Sequence, residues 1–543
     1  MGKTINAVDW VCILLYVLGL LGIAVYHSRK MRRQDDVFLA GRSMSRWPIA
    51  ISMYMALFST NTFLGVTGWL NRPNGTIWIG MQTIGIMLAV PFVVTLYPTL
   101  FYRLRITSAY EYLEKRFNRS VRSVATVFFL SSRIMWMSTM LYSSSLVVST
   151  MLGWTATFGV TQGQLMAILT IGALATFFTL VGGMHAVIWT DVFQFFVLLA
   201  GLIAMIVLGL ALTGGVGQIV EIANEHGKFD PPAVFSLMDD FSLLGGLLLG
   251  FVGMLANSGA DQVVLQQYLT AKNDKEAKAS LWRNGLFLKP VSLIYPFLGV
   301  LMFAFYKAHP DVGALVRIPD DALPVFVVNV LPAGARALMI VAMVAAVLTS
   351  IESGLTAMSA AIQVDYVRRW MKRPLGDREA VRTARALLLT SGLAIIGGAC
   401  WVRTLGEKNN ILQILNIVMY PFAGVLLGIF LLGILVHRVN ARGALVGAVV
   451  GFLGTVAVPG SKQLIPILSA LGISLSPGLV ERIETLGGIS NFYYGCLGTL
   501  ATILVGYLAS LPFPPPSAEK ITGLTRWSLP EPLEKKAELA KVG

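Results

Sequence analysis

The stretch that decides the fold of this protein is residues 47–70, which read WPIAISMYMALFSTNTFLGVTGWL. It is long and apolar enough to cross a bilayer as a helix, which takes about 20 residues. Its middle carries the polar run 59–62, STNT, followed by Gly65 and Gly68. Polar groups are costly at membrane depth, and the backbone leaves the helix there only where it lines a cavity or is buried in protein. The stretch therefore predicts a broken membrane helix beside a cavity.

A second apolar stretch, residues 241–268, is interrupted in the same way, by several glycines and by Asn257, Ser258 and Asp261. Two interrupted helices at matching positions are typical of transporters built from inverted repeats, which bind their solute near the bilayer midplane. Small residues also let intact helices pack closely. Close packing is a sufficient explanation for one helix with small residues, but it explains two such helices at matching positions less well.

The composition of all 543 residues supports a membrane protein. Only 13% of them are charged and 55% are hydrophobic, with a mean hydropathy of +0.71. Soluble domains carry about 25% charged residues, so a soluble, disordered or fibrous chain is excluded. The alternation expected of membrane β-strands is absent. We therefore expect an all-α polytopic membrane protein.

Thirteen apolar segments are candidate spans, numbered here 1 to 13 in chain order. They cover residues 7–27, 47–70, 77–101, 123–152, 160–182, 185–213, 241–268, 285–306, 335–366, 383–403, 409–436, 442–470 and 489–512. Lys and Arg cluster in loops that follow odd-numbered spans, except for the short neutral loop after span 5, and are sparse after even-numbered spans. Because basic loops stay in the cytoplasm, we expect the N-terminus outside and the C-terminus inside.

Other classes of function find little support. The net charge of +14 lies in these loops, so it indicates membrane orientation and no nucleic-acid partner. Three cysteines lie singly in apolar runs, and the five histidines are scattered, which gives no metal cluster. We find no phosphate-binding loop and no nucleophile–base pair, and so expect no enzyme. The proline-rich residues 513–543 predict a flexible cytoplasmic tail.

Span 9 carries four small residues on one helix face, because they are spaced by 3, 4 and 7 positions. They are Ala346, Thr349, Ser350 and Ser353. Hydroxyls in an apolar helix suit a dehydrated hard cation, which prefers oxygen ligands. The broken span 2 can add backbone carbonyls at Met55 and Phe58. The alternative is that the hydroxyls only bond carbonyls of their own helix.

Charged residues also lie inside the spans. Asp191 in span 6 and Glu352 in span 9 are carboxyls in apolar surroundings. Arg133 is the one base that we expect to be buried mid-chain, in span 4. It can hold a carboxylate of a solute or neutralise Glu352 or Asp261. Since lone charges are expensive at this depth, we expect Arg133 to have an acidic partner or to face the solute cavity.

Several motifs together resemble those of one family. They are FLAGRS at 38–43, FYRLRITSAYEYLEKRF at 101–117, GGMHAVIWTD at 182–191, DQVVLQQYLTAK at 261–272 and VDY at 364–366. In this order and spacing, over about residues 5–440, the chain resembles the sodium:solute symporter family.

The resemblance implies a fold of five plus five helices in an inverted repeat, like that of the bacterial leucine transporter, with spans 2 and 7 broken. It divides the chain into a first span with its loop (1–45), a first repeat of spans 2–6 (46–213), a second repeat of spans 7–11 (214–436), spans 12 and 13 (437–512) and the tail (513–543).

The resemblance also implies a sodium ion as the coupling cofactor. By motif position its ligands are the carbonyls of Met55, Phe58 and Ala346 and the hydroxyls of Thr349 and Ser350. Some relatives hold a second sodium at positions that correspond here to Asp191, Glu352 and Ser353. Because Glu352 stands where that pattern has a serine, the second sodium site is left open. Asp191 is therefore interpreted either as part of a second cation site or as an anion behind the first sodium ion.

The solute is expected at the break of span 2, at Ser59, Asn61 and Thr62, with Arg133 as a candidate clamp for an anion. Sugar-transporting relatives carry Glu-Gln where this chain has Asn61-Thr62, so a hexose is disfavoured. Asp261 and Gln262 are expected to line the exit path, or else to cap the second half of span 7.

The sequence therefore predicts sodium-driven symport of a small polar or carboxylated solute through the plasma membrane, without specifying the solute. Two alternatives remain. One is the same fold driven by protons, carried by Asp191 or Glu352. The other is a sensor that binds solute without moving it.

Overall fold

The structure, a computed structural model, describes residues 6–28, 33–58, 60–239, 241–371, 375–406, 411–470 and 476–528. Only the backbone is described at residues 60, 61, 405, 406, 411–421, 459, 462–464 and 466–470. The described residues form helices and contain no β-strand, apart from one isolated bridge between Met44 and Ala271. Nine of these helices are long and apolar enough to cross a membrane, or eleven if each of two bent pairs is one span. The predicted all-α polytopic membrane protein is confirmed, while thirteen spans and their orientation stay predictions.

The helices follow the predicted spans closely. In the first half of the chain they are Ala7–Ser28 (span 1), Arg46–Leu57 and Thr60–Leu70 (span 2), Met81–Leu96 and Pro98–Leu104 (span 3), Arg119–Met151 (span 4) and Val160–Leu212 (spans 5 and 6). In the second half they are Leu243–Gly259 and Gln262–Leu269 (span 7), Ile294–Ala308 (span 8), Ala335–Ile362 (span 9), Asp377–Gly406 (span 10), Ile411–Leu435 (span 11), Ala441–Ala470 (span 12) and Tyr494–Ser510 (span 13).

Shorter helices connect the spans. They include Gln34–Leu39, Ala109–Arg116, Trp154–Phe158, Val216–Glu225, Asp274–Arg283, Ala322–Asn329 and Pro477–Gly487. Two π-helical turns, Asn284–Leu288 and Gln363–Val367, lie at the start of span 8 and at the end of span 9.

Spans 5 and 6 share the helical run Val160–Leu212, which bends at Gly183. A straight helix of these 53 residues would be about 80 Å long, against a hydrocarbon core of about 30 Å. Gly183 has φ 57° and ψ −165°, outside the helical region. Glycine takes positive φ without a steric penalty. The bend therefore divides the run into the two spans predicted at 160–182 and 185–213.

Spans 2 and 7 are both broken, as predicted. The two halves of span 2 meet at 61° and those of span 7 at 58°. In span 2 the first half ends at Leu57, and Phe58 has extended backbone with φ −83° and ψ 122°. In span 7 the extended residue is Asp261, with φ −94° and ψ 124°. Each break exposes backbone groups that an intact helix would satisfy internally.

Span 9 lies at the centre of the bundle. Within an apolar stretch of 18 residues, 89% of the residues of span 9 are buried in the protein. The same measure for span 1 is only 22%. Span 9 packs mainly against the run Val160–Leu212 and also contacts spans 4 and 10. Its hydroxyl stripe therefore faces protein.

The segment after span 13 packs back onto the protein. The Tyr112 hydroxyl donates to the carbonyl of Leu524 at 3.0 Å, and the indole N–H of Trp527 donates to the carbonyl of Leu435 at 3.1 Å. Thr525 is fully buried. The predicted flexible tail is therefore wrong for residues 513–528, because carbonyls and apolar side chains of this segment find partners in the bundle. Residues 529–543 lie outside the described part of the chain.

Candidate cation and substrate site

The hydroxyl stripe of span 9 meets the break of span 2. The Ser350 hydroxyl lies 2.8 Å from the carbonyl oxygen of Phe58, and the Thr349 hydroxyl lies 3.2 Å from that of Met55. Both hydroxyls also lie within 3.2–3.3 Å of the carbonyl oxygen of Ala346. The structure thus brings together the five residues that were predicted to bind sodium.

These oxygens are available because the chain leaves the helix at this point. Among the described backbone groups, the Met55 carbonyl accepts a short turn bond from the Phe58 N–H at 3.1 Å. Phe58 then takes extended backbone, so its carbonyl points toward span 9. All five residues are buried, Thr349 completely. Three carbonyls and two hydroxyls in a dry place match the oxygen-rich, neutral surroundings that a hard cation accepts.

A second polar cluster lies about one helical turn further along span 9. The Ser52 hydroxyl donates to a carboxylate oxygen of Asp191 at 2.5 Å. The Gln267 amide donates to Ser52 at 2.9 Å and to Ser353 at 3.3 Å. This cluster, here called the acidic cluster, joins the first half of span 2 to the second half of span 7.

Glu352 belongs to the same acidic cluster. The Thr190 hydroxyl donates to one carboxylate oxygen of Glu352 at 3.1 Å. The other oxygen of Glu352 and one oxygen of Asp191 are buried without a hydrogen-bond partner among the described residues. No base pairs with either acid in that part of the chain. Open carboxylate oxygens of this kind can accept a cation or a proton.

Arg133 pairs with Asp261 at the break of span 7. The guanidinium also lies over the Trp136 ring, 4.7 Å from its centroid. The other carboxylate oxygen of Asp261 accepts the backbone N–H of Val263 at 2.8 Å and so caps the second half of the span. The prediction that Arg133 has an acidic partner is confirmed.

Gln262 is committed to backbone partners. Its amide accepts the N–H of Ala109 at 2.7 Å and donates to the carbonyl of Thr107 at 2.8 Å. Next to it, the Tyr110 hydroxyl donates to the carbonyl of Ala260 at 3.3 Å. Gln262 therefore fastens the break of span 7 to the loop after span 3. Its predicted role toward solute stays a prediction.

Of the other residues predicted to bind solute, the structure describes only Thr62 in full. Thr62 is half-buried at the start of the second half of span 2. Ser59 and the side chain of Asn61 lie outside the described residues. Aromatic rings surround this point: the Tyr295 ring stacks on Phe58 with centroids 5.1 Å apart and lies 5.3 Å from Phe63.

Sequence reasoning missed several groups here. Ser52, Thr190 and Gln267 complete the acidic cluster, and no spacing rule links them. The expectation that Arg133 is the one base buried mid-chain was wrong, because Lys289 in span 8 and Arg336 in span 9 are buried as well. Arg336 pairs with Asp9. The Lys289 ammonium lies over the Tyr54 ring, 5.2 Å from its centroid. A single lysine inside an apolar span could have been recognised from the sequence as a candidate buried base.

A charged network closes the end of the bundle near the loop after span 3. Arg122 pairs with Asp365 and with Glu114, and Glu114 also pairs with Arg369. Burial by itself would raise the pKa of Glu114. The hydrogen bond and charge of Arg122, with the charge of Arg369, outweigh burial and hold that pKa below its ordinary value. The network ties the loop to span 9.

The sequence matches the profile of the sodium:solute symporter family over residues 37–451. The chain belongs to the sodium:solute symporter family. This symporter is 27% identical over 510 residues to the sodium/sialic acid symporter NanT of Aliivibrio fischeri, covering 94% of each chain. It is 29% identical over 582 residues to the human sodium/iodide cotransporter, covering 97% of this chain and 87% of the relative.

Solved structures agree on the fold of this symporter. It superposes on a substrate-bound, outward-open Na⁺-coupled sialic acid symporter with a TM-score of 0.80 and 24% identity, covering 94% of this chain and 99% of the other. Mhp1, a transporter of the nucleobase-cation-symport-1 family, gives a TM-score of 0.54 at 14% identity, covering 89% of this chain and 96% of the other. The predicted leucine-transporter-like fold is confirmed, and so is the prediction of a multi-pass transporter in place of an enzyme.

Proposed function

We propose that this symporter uses the sodium gradient to carry a small polar or carboxylated organic solute across the plasma membrane into the cell. The observation that carries the proposal is the meeting of the span 9 hydroxyls with the carbonyls of Met55 and Phe58. Five uncharged oxygens in a buried place replace the hydration shell of a cation without adding a charge of their own. Because the site adds no negative charge, the occupied site carries the full positive charge of the ion.

The ligands of this proposed site come from two bodies. Met55 and Phe58 belong to span 2, whereas Ala346, Thr349 and Ser350 belong to span 9. A movement of the first half of span 2 away from span 9 would therefore open the site and release the ion. Sodium binding favours the arrangement in which both bodies are in place, and a solute that favours the same arrangement binds more tightly with it. The membrane potential adds about 2.3 kcal/mol per charge per 100 mV to inward movement.

The acidic cluster is proposed as a second place for a positive charge. Asp191 and Glu352 have open oxygens, and Ser353 adds a hydroxyl. Asp191 then either binds a second cation with Glu352 and Ser353 or acts as an anion behind the first sodium. Because Ser52 of this cluster belongs to the same half of span 2 as Met55, both sites respond to the same movement.

The solute is proposed to bind between the two breaks, at Ser59, Asn61 and Thr62 on one side and at the Arg133–Asp261 pair on the other. A solute carboxylate would compete with Asp261 for Arg133. Relatives named for sialic acid and for monocarboxylates support an acidic solute. Since Asp261 also caps the second half of span 7, such an exchange would act on the half-helix that Gln262 fastens to the loop after span 3.

The test is uptake by the purified protein in liposomes of radiolabelled solutes, with carboxylates, amino acids and neutral polar compounds as separate groups. Sodium is replaced by choline at fixed pH. We expect uptake of at least one acidic or polar solute that stops in choline and that is stimulated by an inside-negative potential. Uptake that persists in choline and follows a proton gradient would favour the proton-driven alternative. Sodium-dependent binding without uptake would favour the sensor.

A further inference from the structure

A cleft of about 460 Å³ opens where spans 2 and 8 begin. One wall is the start of span 2, with Arg46 and Trp47. The other wall is the helix Asp274–Arg283 and the turn before it, with Lys272 and Arg283. The cleft is separate from the sodium and acidic sites, which lie deeper along the same half of span 2.

The charges of the cleft leave an excess of base. Its only lining acid, Glu276, is already used by Arg46, whose backbone N–H and Nε each lie 2.9 Å from a carboxylate oxygen of Glu276. Lys272 and Arg283 pair with no acid in the part of the chain that the structure describes. The Arg283 guanidinium donates to the carbonyl of Ala279 at 3.1 Å, and its charge also acts on Glu276. Because Arg46, Lys272 and Arg283 together outnumber the single acid, the lining keeps an excess of positive charge that suits an anion.

The rim of the cleft is aromatic. Trp47 is 48% exposed and Phe287 is 65% exposed, and their rings meet edge to face with centroids 6.3 Å apart. The Arg283 guanidinium lies over the Trp47 ring at 5.1 Å. Phe287 is carried by the π-helical turn Asn284–Leu288, which follows directly after Arg283. Exposed aromatic rings at the end of a span are typical of the membrane–water interface, where lipid headgroups lie.

We propose that this cleft binds the phosphate headgroup of an anionic phospholipid, with Lys272 and Arg283 as the phosphate contacts and the rim of Trp47 and Phe287 against the start of the acyl chains. A free anion would use the bases but would gain nothing from the exposed rings. A lipid uses both, because its charge and its apolar part are joined at this level of the membrane. Because the cleft lies at the ends of two spans, it is at the level of the lipid headgroups whichever way the chain crosses the membrane.

A bound headgroup would bridge two parts of the molecule. Arg46 and Trp47 belong to the first repeat, whereas Lys272 and Arg283 belong to the second, and the Arg46–Glu276 pair already joins them. Anionic lipid is therefore expected to hold the first half of span 2 against the helix Asp274–Arg283.

The experiment uses the full chain in detergent. Dioleoyl phosphatidylglycerol, dioleoyl phosphatidylcholine and inorganic phosphate are titrated separately, and the melting temperature and the lipid adducts in native mass spectrometry are recorded. The variant is Lys272→Gln/Arg283→Gln. The control is Lys275→Gln/Lys278→Gln, which removes two nearby bases of the helix Asp274–Arg283 that do not line the cleft, of which Lys278 pairs with Asp274.

We expect phosphatidylglycerol to stabilise the wild type, while phosphatidylcholine and phosphate do not. About 1 kcal/mol for each base near an anionic surface corresponds to roughly 5-fold, so the Lys272→Gln/Arg283→Gln variant should bind phosphatidylglycerol about 25-fold more weakly. The control should change it by less than about 3-fold. Equal stabilisation by phosphate, an equal loss in the control, or no preference for phosphatidylglycerol would each overturn the proposal. Native adduct counts keep the result interpretable if a variant melts early.

Discussion

Spans 2 and 7 are broken at nearly the same angle, yet the two breaks are completed by opposite chemistry. At span 2 the freed carbonyls of Met55 and Phe58 face uncharged hydroxyls of span 9. At span 7 the break is closed by charge, since Asp261 pairs with Arg133 and caps the following half-helix. A break completed by neutral oxygens can accept a cation. A break completed by an ion pair can exchange its anion for another one.

The comparison also explains how the breaks are connected. Ser52 lies on the first half of span 2 and Gln267 on the second half of span 7, and their side chains are 2.9 Å apart in the acidic cluster. The Gln267 amide also donates to Ser353, which lies one turn from the proposed sodium ligands Thr349 and Ser350. Side chains in direct contact therefore connect the two breaks.

The largest effect is expected at the charged break. Arg133→Gln leaves Asp261 without its partner. Breaking a fully buried pair costs about 3–5 kcal/mol, which is an upper limit here because the Asp261 side chain is 17% exposed. We expect a clear fall in the melting temperature of the purified protein and loss of uptake. The double variant Arg133→Gln/Asp261→Asn removes both charges and should recover most of the stability without recovering uptake of an acidic solute. Wild-type uptake by the double variant would show that the pair is only structural.

At the break of span 2 we expect substitutions to have a smaller effect, and to change sodium affinity and not stability. Removing one hydroxyl by Ser350→Ala or Thr349→Ala leaves a cation under-coordinated, which costs about 1.5–3 kcal/mol, by analogy with lost hydrogen bonds to charged groups. This corresponds to a sodium affinity lower by about 10- to 150-fold. Sodium-dependent stabilisation and the sodium concentration for half-maximal uptake measure it.

The matched control for the neutral break is Ser359→Ala, which removes a buried hydroxyl of span 9 that bonds the carbonyl of Ala384 in span 10. It should leave the sodium dependence unchanged. If Ser350→Ala and Thr349→Ala both kept the wild-type sodium dependence, the coupling ion would have to bind elsewhere.

The acidic cluster between the breaks is expected to have a smaller effect on sodium. Asp191→Asn keeps a hydrogen-bond acceptor for Ser52 but removes the charge. We expect sodium affinity to fall by about 2- to 10-fold, which corresponds to about 0.5–1.5 kcal/mol. Glu352→Gln, which keeps an acceptor for Thr190, is the companion variant. An unchanged sodium dependence in both variants, together with a lost response of uptake to a proton gradient, would assign the cluster to protons.

The smallest expected effect concerns sugars. Because Asn61-Thr62 stands at the span 2 break where sugar-transporting relatives carry Glu-Gln, we expect no sodium-dependent uptake of glucose or galactose above that of empty liposomes. Uptake of the acidic or polar solute identified in the same preparation is the positive control. Tight sodium-dependent hexose uptake would contradict this assignment of the solute site.

The sequence by itself determined that the chain forms long apolar helices, where two of them are interrupted, and which hydroxyls share one face of span 9. Bilayer thickness fixes the length of an apolar segment, and helical periodicity fixes which residues share a face, so both are local properties that can be read along the chain. Periodicity placed Ala346, Thr349 and Ser350 on one face of span 9. The resemblance to the sodium:solute symporter family then implied which of their oxygens, with the carbonyls of Met55 and Phe58, form one site.

Only the tertiary structure decided which polar groups meet. The partner of Arg133 is 128 positions away in the chain, and that of Asp191 is 139 positions away. Hydropathy and periodicity do not specify which spans are neighbours, so Ser52, Thr190 and Gln267 gave no signal, and the docking of residues 513–528 was missed. Helix packing brings these groups within reach, and the cost of leaving a buried polar group without a partner then selects the contacts that form.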